Sequence, residues 1–470
     1  MSYMNGSIIE LKDSSTREID ASFLSIANLG RDPNPRLANL GHQFHKANAG
    51  VLRDFGVGCD ISFSEKQVVL KLTSGTNVGA IPLVSPSTGK TEIGLIVQPR
   101  FGWSGVGSVL GVAGWKIVPQ LLNLPLLPKS EKKIPSWVLS LTLLPRIEQL
   151  LKQLQRKFSY TSEDTSSPKG QVNWTDYAVK RVAKFQMLQV PCRYPTLKYN
   201  EELKSAIHYT LKKHLHSLQN QVASGPVVLR LIQYCQMLIQ QVAEYPASRP
   251  SHLLFDRWQK TPLQTNFFKE GLQAIQWTIE ERGLAGLGEL EGIPWQMPME
   301  QFFEGWLETL AHKVAFLTGG ILKTGRLRQT IAPLSWQPTF SGSQKYLVPD
   351  LVIEKEDQVI ILDAKYKYHW EEIRRSPWGT IEESIKEQHR NDLLQVLAYS
   401  TLFEGKPITT CLVYPCTWNT WKSLKSRDRL CHQATLGAGT RQINLLLTAV
   451  PMSGNTDEVI AELLPMLKAG

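Results

Sequence analysis

The chain has 470 residues and a mass of 53.0 kDa, which is too long for one ordinary core and predicts two or three domains. Hydrophobic residues make up 42 % of the sequence, so these domains can bury real cores. The formal net charge of +10 and the sequence pI of about 9.2 favour a polyanionic partner, such as nucleic acid, over an acidic protein surface.

Three classes of protein fit the sequence poorly. The six cysteines are scattered without a CxxC pair, which argues against a zinc ribbon or an iron-sulfur cluster and for reduced thiols in the cytoplasm. The first 15 residues carry an acid and no apolar signal core, so secretion is not expected. The most apolar region, 106–128, is interrupted by Lys116 and by prolines, so no membrane span is expected.

Residues 1–130 predict a small β-rich N-terminal domain, because short alternating runs such as QVVLKLTSG and EIGLIVQPR are separated by turn residues. A Gly-Lys-Thr sequence at 89–91 invites a phosphate-binding loop. That loop needs GxxxxGK[ST], whereas the position five before Gly89 is Val84, and the following residues resemble a strand. We therefore expect a β-turn there, and no nucleotide bound by this chain.

Residues 131–285 predict a mainly helical middle domain. Segments beginning at Trp137, Asn200 and Val227 have apolar residues at helical spacing and basic or glutamine-rich opposite faces. The polar stretch 160–171 is expected to be a loop.

Residues 286–470 predict a third domain, which begins with a linker at 286–298. A helix from Met299 precedes strand candidates KYLVPDLVIEK and QVIILDAKYKY, a long helix, and further strands TTCLVYPC and INLLLTAV. This order is typical of an α/β layered domain.

One strand of that domain ends in charged residues. Side chains two positions apart share a face of a strand, so Asp363 and Lys365 point the same way at the end of the apolar run VIIL. A buried carboxylate there needs a cation or hydrogen-bond partner. Asp350, in a strand that can pair with this one, offers a second carboxylate, and two acids suit Mg²⁺. An ordinary hairpin with a surface Asp-Lys pair is the alternative.

Neighbouring helices add residues that agree with a metal site. Gln395 and Tyr399 are four apart and so share one helix face. The helix before the strands carries Glu300, Glu304 and Glu308 at the same spacing, so one acid can reach a metal, although a solvated acidic face is as good an explanation for any one of them.

These motifs, PD, DAK and QxxxY in this order, resemble the PD-(D/E)xK nuclease superfamily in its RecB-like branch. More narrowly, FFEGW, VPDLVI, ILDAKYK, NDLLQVLAYS and LVYP resemble the C-terminal domain of the McrC family, the nuclease subunits of McrBC modification-dependent restriction systems. Looser likeness in GLIVQPRFGWSGVGSVL and KGQVNW extends the coverage to most of residues 75–415. Lys169 stands where an Arg is expected, and residues 1–70 match no family.

The resemblance implies a multidomain α+β and α/β protein whose last domain is a restriction-endonuclease-like α/β/α fold. It implies that Asp350 and Asp363 hold Mg²⁺, with Glu304 as the acid from the helix. Lys365 is expected to serve the attacking water, and Gln395 with Tyr399 to orient water or DNA backbone.

The resemblance also implies partners. We expect double-stranded DNA and a separate McrB-like AAA+ GTPase or ATPase, a hexameric ring that the chain stimulates and contacts through residues 1–130. The apolar, glycine-rich segment FGWSGVGSVLGVAGW is the expected contact if it is exposed; a segment folded back on its own core is an equal alternative.

The expected function is thus a Mg²⁺-dependent DNA endonuclease subunit of an anti-phage restriction complex. Two alternatives remain open. One is a non-catalytic stalk or adaptor that regulates the AAA+ partner, which the complete acid, lysine and glutamine set disfavours. The other is a stand-alone RecB-like repair nuclease, for which a helicase in the same chain or an iron-sulfur cysteine set is usual, and neither occurs.

Overall fold

A computed structural model describes residues 7–25, 34–64, 67–128, 134–154, 157–198, 201–260, 265–284, 292–340, 342–367, 383–403, 405–438 and 441–468. The chain forms two compact units. Unit 1 comprises Met1–Val138, Gln221–Arg230 and Gly283–Gly470, and unit 2 comprises Leu139–Asn220 and Leu231–Arg282. Within the described ranges, no helix combines the length and the apolarity that crossing a membrane requires.

The strands are numbered in chain order. They are β1 Ser7–Lys12, β2 Thr16–Asp20, β3 Val57–Ser64, β4 Gln67–Ser74, β5 Asn77–Val84, β6 Thr91–Gln98, β7 Gln120–Leu121, β8 Lys157–Thr165, β9 Gln171–Val172, β10 Val190–Lys198, β11 Trp295–Pro298, β12 Ile321–Thr324, β13 Ala332–Pro333, β14 Tyr346–Leu347, β15 Leu351–Glu354, β16 Val359–Ala364, β17 Ile408–Cys416, β18 Cys431–Ala438 and β19 Arg441–Pro451.

The α-helices of eight or more residues in the described ranges are numbered in the same way. They are α1 Asn34–Phe55, α2 Gly102–Ala113, α3 Trp137–Gln153, α4 Glu201–Gln219, α5 Pro226–Gln240, α6 His252–Gln259, α7 Asn266–Ile279, α8 Met299–Thr318, α9 Glu383–Ser400, α10 Trp418–Lys425 and α11 Thr456–Lys468.

The N-terminal part of unit 1 contains the expected strands. One sheet has the order β1-β6-β5-β11-β7 and a second has the order β2-β4-β3. The 22-residue helix α1 packs against them, and its Phe44, Leu52 and Phe55 are buried in their core. Sequence reasoning missed this helix. The region is therefore β-rich but not purely β.

The strand β11 pairs the region after residue 292 with strands from the N-terminal part of unit 1. It pairs antiparallel with β5, in the register Trp295 with Ala80, and also with β7. The Trp295 side chain is fully buried and its ring lies 5.9 Å from that of Trp103. The three-domain division at 130 and 285 stays a prediction, but a sheet joins its first and third parts.

The glycine-rich segment after β6 is a helix packed in unit 1, so the structure agrees with the alternative in which this segment folds back on its own core. In α2, Val106, Val109 and Leu110 are buried. The glycines allow close approach, because a Cβ on Gly111 would lie 2.8 Å from Pro226 Cβ. The apolar residues of this segment stabilise the core of unit 1.

The Gly-Lys-Thr sequence forms a tight turn between antiparallel β5 and β6. Ser85 N donates to Lys90 O and Gly89 N donates to Ser85 O, both at 2.9 Å. Gly89 has φ 68°, which favours glycine. The predicted turn is confirmed, although its bond from Gly89 N to Ser85 O makes it an α-turn instead of a β-turn, and a strand follows it instead of a helix.

The C-terminal part of unit 1 is built on a six-stranded sheet of order β12-β15-β16-β17-β19-β18. β12, β15 and β16 are antiparallel neighbours, whereas β16, β17 and β19 run parallel. Helix α8 packs on β15 and β16, and α9 packs on β16 and β17. The predicted helix-strand order is confirmed, and the carboxyl ends of the central strands meet beside these two helices.

Unit 2 contains the predicted helices together with a small sheet. The apolar faces of α3 and α4 are buried through residues such as Leu144, Ile147, Ile207 and Leu211. The antiparallel sheet has the order β8-β10-β9. Its strand β8 covers 160–165, so the expected loop is wrong there, whereas 166–170 form a loop as predicted. β8 is an edge strand rich in polar residues, which composition alone does not distinguish from a loop.

Candidate active site

The two predicted acids lie side by side at the ends of β15 and β16. Asp350 directly precedes β15, and Asp363 is the fifth residue of β16. The register that pairs Leu351 with Leu362 brings the two aspartates next to each other. Asp350 Oδ2 accepts a hydrogen bond from Ala364 N at 2.9 Å. The hairpin therefore forms the carboxylate pair that the sequence pattern predicts.

Burial of this pair disfavours its negative charges. Asp363 has no exposed surface. Burial raises the pKa of Asp350 well above its usual value, and the carboxylates of Asp363 and Glu304 raise it further. Burial also raises the pKa of Asp363, although Lys365 counteracts part of the effect. Two adjacent buried acids need a compensating cation to be ionised together.

Lys365 supplies one such cation. Its Nζ lies 2.6 Å from Asp363 Oδ2 and donates to Gln395 Oε1 at 2.7 Å. Burial lowers the pKa of Lys365, but the Asp363 carboxylate more than offsets this and the pKa is raised. Gln395 Nε2 in turn donates to the Tyr399 hydroxyl at 2.7 Å. The strand end and one face of α9 thus form a continuous hydrogen-bonded series.

The helix α8 brings a third acid to the site. Burial raises the pKa of Glu304, followed by the carboxylates of Glu300 and Asp363. Glu308, one turn further on, faces different partners, because its carboxylate accepts two hydrogen bonds from Arg326 and pairs with Lys116 at 3.1 Å. Of the three evenly spaced glutamates, Glu304 is the one whose charge acts on both Asp350 and Asp363.

The residues present fit a Mg²⁺ ion held by two carboxylates. Asp363 Oδ1 is buried and accepts no hydrogen bond from any described residue, so a ligand position is open on that oxygen. Within the described ranges, no three His, Cys, Asp or Glu side chains lie close enough together to hold a metal ion, so Glu304 does not join the two aspartates as a third ligand in this structure. Mg²⁺ commonly uses one or two carboxylates and completes its shell with water and phosphate oxygens.

Sequence reasoning missed a group of residues centred on Asp392 that lies next to Lys365. Asp392 of α9 is buried, and its Oδ1 accepts from Lys367 Nζ at 2.8 Å and lies 3.9 Å from Lys365 Nζ. The Tyr414 hydroxyl of β17 donates to Asp392 Oδ2 at 3.3 Å. The available signal was spacing: Lys367 continues the alternation of Asp363 and Lys365, and Asp392 precedes Gln395 by one helical turn.

Comparisons with known proteins agree with the motifs. The family described as "McrBC 5-methylcytosine restriction system component" matches residues 120–415. No curated protein matches the sequence.

Two solved structures from Thermococcus gammatolerans are similar at low identity. One is a refined half-complex from a tetradecameric assembly of McrB AAA+ hexamers with bound McrC; the similarity has 13 % identity, covers 98 % of this chain and 100 % of that chain, and gives a TM-score of 0.42. The other is the McrBC complex solved by cryo-EM. That similarity has 13 % identity, covers 66 % of this chain and 88 % of that chain, and gives a TM-score of 0.27. Both scores are too low to indicate a shared fold, whereas the family match spans more than half of the chain. The McrC-like resemblance of the motifs is confirmed, and the chain belongs to the McrBC 5-methylcytosine restriction system component family.

Proposed function

We propose that this protein is a Mg²⁺-dependent DNA endonuclease of the PD-(D/E)xK type and the nuclease subunit of an McrBC-like restriction complex. The observation that supports this most is the position of Lys365 Nζ, 2.6 Å from Asp363 and hydrogen-bonded to Gln395, beside a second buried aspartate. A surface Asp-Lys pair on an ordinary hairpin needs neither this burial nor these partners. Membership of a restriction-system family supports the same reaction.

In the proposed site, Asp350 and Asp363 would hold Mg²⁺, with Glu304 as a further acid nearby, and the ion would supply a Lewis acid for a phosphate oxygen. Lys365 carries its proton, because the neighbouring carboxylates raise its pKa. Its ammonium group therefore orients the attacking water and stabilises negative charge on the phosphate, instead of taking a proton.

The products follow from this arrangement. The water oxygen forms the new bond to phosphorus and loses a proton to solvent, while the bond from phosphorus to the leaving oxygen breaks and that oxygen takes up a proton from solvent, which gives a phosphate monoester and an alcohol. Gln395 holds the Lys365 ammonium through its Oε1, and Tyr399 fixes the Gln395 amide. Both are positioning residues in this scheme.

The proposed partners are double-stranded DNA and an McrB-like AAA+ ring. The net charge of +10 favours DNA, and the sequence contains no GxxxxGK[ST] loop with which to drive a motor by itself. Membership of a multi-component restriction family supports a separate nucleotide-hydrolysing subunit.

Because the apolar residues of α2 are buried, another surface is the better candidate for the contact with the partner. Residues 174–188 of unit 2 carry exposed apolar side chains, including Val179, Phe185 and Leu188. Clustered exposed apolar residues are typical of protein contacts. We therefore place the AAA+ contact on residues 174–188. Phe185→Asp and Leu188→Asp are expected to weaken co-purification with the partner, and unchanged co-purification would exclude this surface.

The proposed function is tested by identifying an McrB-like AAA+ protein among the products of the neighbouring genes and purifying the chain together with it. The complex is incubated with plain plasmid and with plasmid containing 5-methylcytosine, with GTP or ATP, in Mg²⁺ or in EDTA. The proposal predicts that double-strand cleavage requires both Mg²⁺ and one of the two nucleotides, GTP or ATP. Stimulated nucleotide hydrolysis without cleavage under any condition would instead identify a non-catalytic adaptor. Cleavage by this chain alone, unaffected by the partner, would favour a stand-alone nuclease.

A further inference from the structure

The charged residues in the stretch between Glu308 and Asp350 are all basic. The stretch contains no Asp or Glu and five Lys or Arg residues. Three of the five are paired within the protein, namely Lys313 with Asp457, Lys323 with Glu354 and Arg326 with Glu308. The side chains of Arg328 and Lys345 form no ion pair with the described residues. This surface is complementary in charge to a polyanion.

The C-terminal half of this stretch, from Ala332 onwards, exposes three aromatic rings. Strands β13 and β14 form a short hairpin in which Ala332 pairs with Leu347. Trp336 is 45 % exposed, Phe340 58 % and Tyr346 49 %. The Trp336 and Phe340 rings meet edge to face at 6.4 Å, and Trp336 Nε1 donates to Gln344 O at 2.8 Å. The hairpin is therefore held by internal bonds while its rings face solvent.

The segment that leads into this hairpin, Gly325 to Thr330, is connected to the site by short hydrogen bonds. Gly325 N donates to Asp350 O at 2.7 Å, and Thr330 Oγ1 donates to Pro349 O at 2.6 Å. A Cβ on Gly325 would lie 2.7 Å from Pro349 O, so only glycine fits this approach. The segment that carries Arg328 is thereby fixed to the strand end that carries Asp350.

A shallow cavity that is open to solvent joins the hairpin to the hydrogen-bonded series of the site. Its volume is about 450 Å³, and it is lined by Ser343, Gln344, Lys345, Tyr346, Val348 and Tyr399. The Tyr399 hydroxyl accepts from Gln395, and Gln395 accepts from Lys365. The cavity wall thus begins two hydrogen bonds away from the lysine ammonium.

We propose that the aromatic hairpin, residues 332–340 and 342–347, binds unstacked nucleotides of the DNA strand next to the phosphate that is cut. Trp336 and Phe340 stack on bases, which is tolerant of sequence because every base presents a π face. Arg328 and Lys345 bind the flanking phosphates, and the cavity at Tyr346 and Tyr399 accepts one nucleotide. The inference rests on the proposed function for the reaction at the site, but the binding surface is independent of metal.

The test is photocrosslinking with full-length protein in EDTA, where no cleavage is expected. The probes are single-stranded and gapped DNA carrying 5-iododeoxyuridine, and crosslinked peptides are identified by mass spectrometry. We expect crosslinks at Trp336, Phe340 or Tyr346. We also expect Phe340→Ala to weaken binding of single-stranded DNA by about 5- to 100-fold, from the usual contribution of one stacked base.

Two controls keep the result interpretable. Phe63→Ala removes an exposed ring from β3 and should bind DNA like the unmodified protein. Phe340→Ala leaves the Trp336 to Gln344 hydrogen bond intact, whereas Trp336→Ala removes it, so Phe340→Ala is the primary variant. Crosslinks confined to other segments, or unchanged affinity in Phe340→Ala, would overturn the inference. Crosslinking at the hairpin without Mg²⁺-dependent cleavage would refute the proposed function alone.

Discussion

Lys365 Nζ lies 2.6 Å from Asp363 Oδ2, and these two residues are separated by only Ala364 in sequence. The contact explains why a buried strand can end in a charged pair. Asp363 compensates the ammonium, and Gln395 satisfies another of its hydrogens. The pair also connects α9 to the strand end, so that substitutions on the helix should affect the reaction indirectly.

Gln395→Ala should reduce DNA cleavage less than loss of an acid, by about tenfold, as is usual for a group that orients a reacting side chain. The Lys365 ammonium would lose one acceptor but keep Asp363. Cleavage rates at saturating Mg²⁺ measure the effect, and the exposed Glu387→Ala on the same helix is the control. A loss as large as that of Asp363→Asn would instead place Gln395 in direct contact with the reacting groups.

Asp350→Asn should stabilise the protein at neutral pH when divalent metal is absent. The pKa of Asp350 is raised in the folded protein, so the folded state holds this proton more tightly than the unfolded state does. The free energy of unfolding therefore falls as pH rises from the ordinary value of 3.8 through the raised pKa.

Thermal unfolding in EDTA checks this prediction across that pH range. The midpoint of Asp350→Asn should exceed that of the unmodified protein at pH 8, and the difference should shrink as pH is lowered. Asp357→Asn, in the exposed turn before β16, should show no such trend. A midpoint below that of the unmodified protein at every pH would contradict the pKa direction.

Removing residues 1–284 should destabilise the C-terminal part of unit 1. The fragment would lose β5, the pairing partner of β11, and would expose Trp295. It would also lose Arg100, whose guanidinium carbon lies 4.3 Å from the ring centroid of Tyr366, the residue after Lys365. We expect poor solubility and no cooperative thermal transition. A soluble fragment with a cooperative transition and full Mg²⁺-dependent nicking would show that the C-terminal part folds alone.

Lys90→Ala should leave nucleotide hydrolysis unchanged in the complex with the AAA+ partner, because Lys90 lies in a hairpin turn. Phosphate release with GTP and with ATP measures this. Hydrolysis by the isolated chain that disappears in Lys90→Ala would contradict the structural interpretation of this turn.

The candidate site was largely predictable because its residues belong to strongly patterned elements. Strand alternation placed Asp363 and Lys365 on one face, and helical spacing placed Gln395 with Tyr399; both relations are local. Pairing of Asp350 with Asp363 followed from adjacent apolar strands. Asp392 and Tyr414 were not predictable in the same way, because their contact depends on the packing of α9 against β17.

Other features could not be decided from the sequence, because one composition is compatible with two structures. A run of glycine and apolar residues fits an exposed loop or a closely packed helix. In α2 the glycines lie against Trp137, Val227 and Pro226, and only these contacts identify the segment as a packed helix. The helix α1 carries Gly41, Gly50 and several polar residues, which weakened its helical pattern. The aromatic residues at 336, 340 and 346 have no periodicity, so their common surface became visible only in the hairpin.

The most direct test of the account is the Mg²⁺-dependent cleavage of 5-methylcytosine DNA by the complex that contains Asp363→Asn. Asp357→Asn serves as the matched control, and thermal unfolding verifies that each variant is folded. The account predicts that Asp363→Asn lowers cleavage by at least about 100-fold, as expected when a charge-stabilising group is lost from an active site, and leaves partner binding and nucleotide hydrolysis intact. Cleavage by the folded Asp363→Asn complex at the rate of the Asp357→Asn control would contradict it.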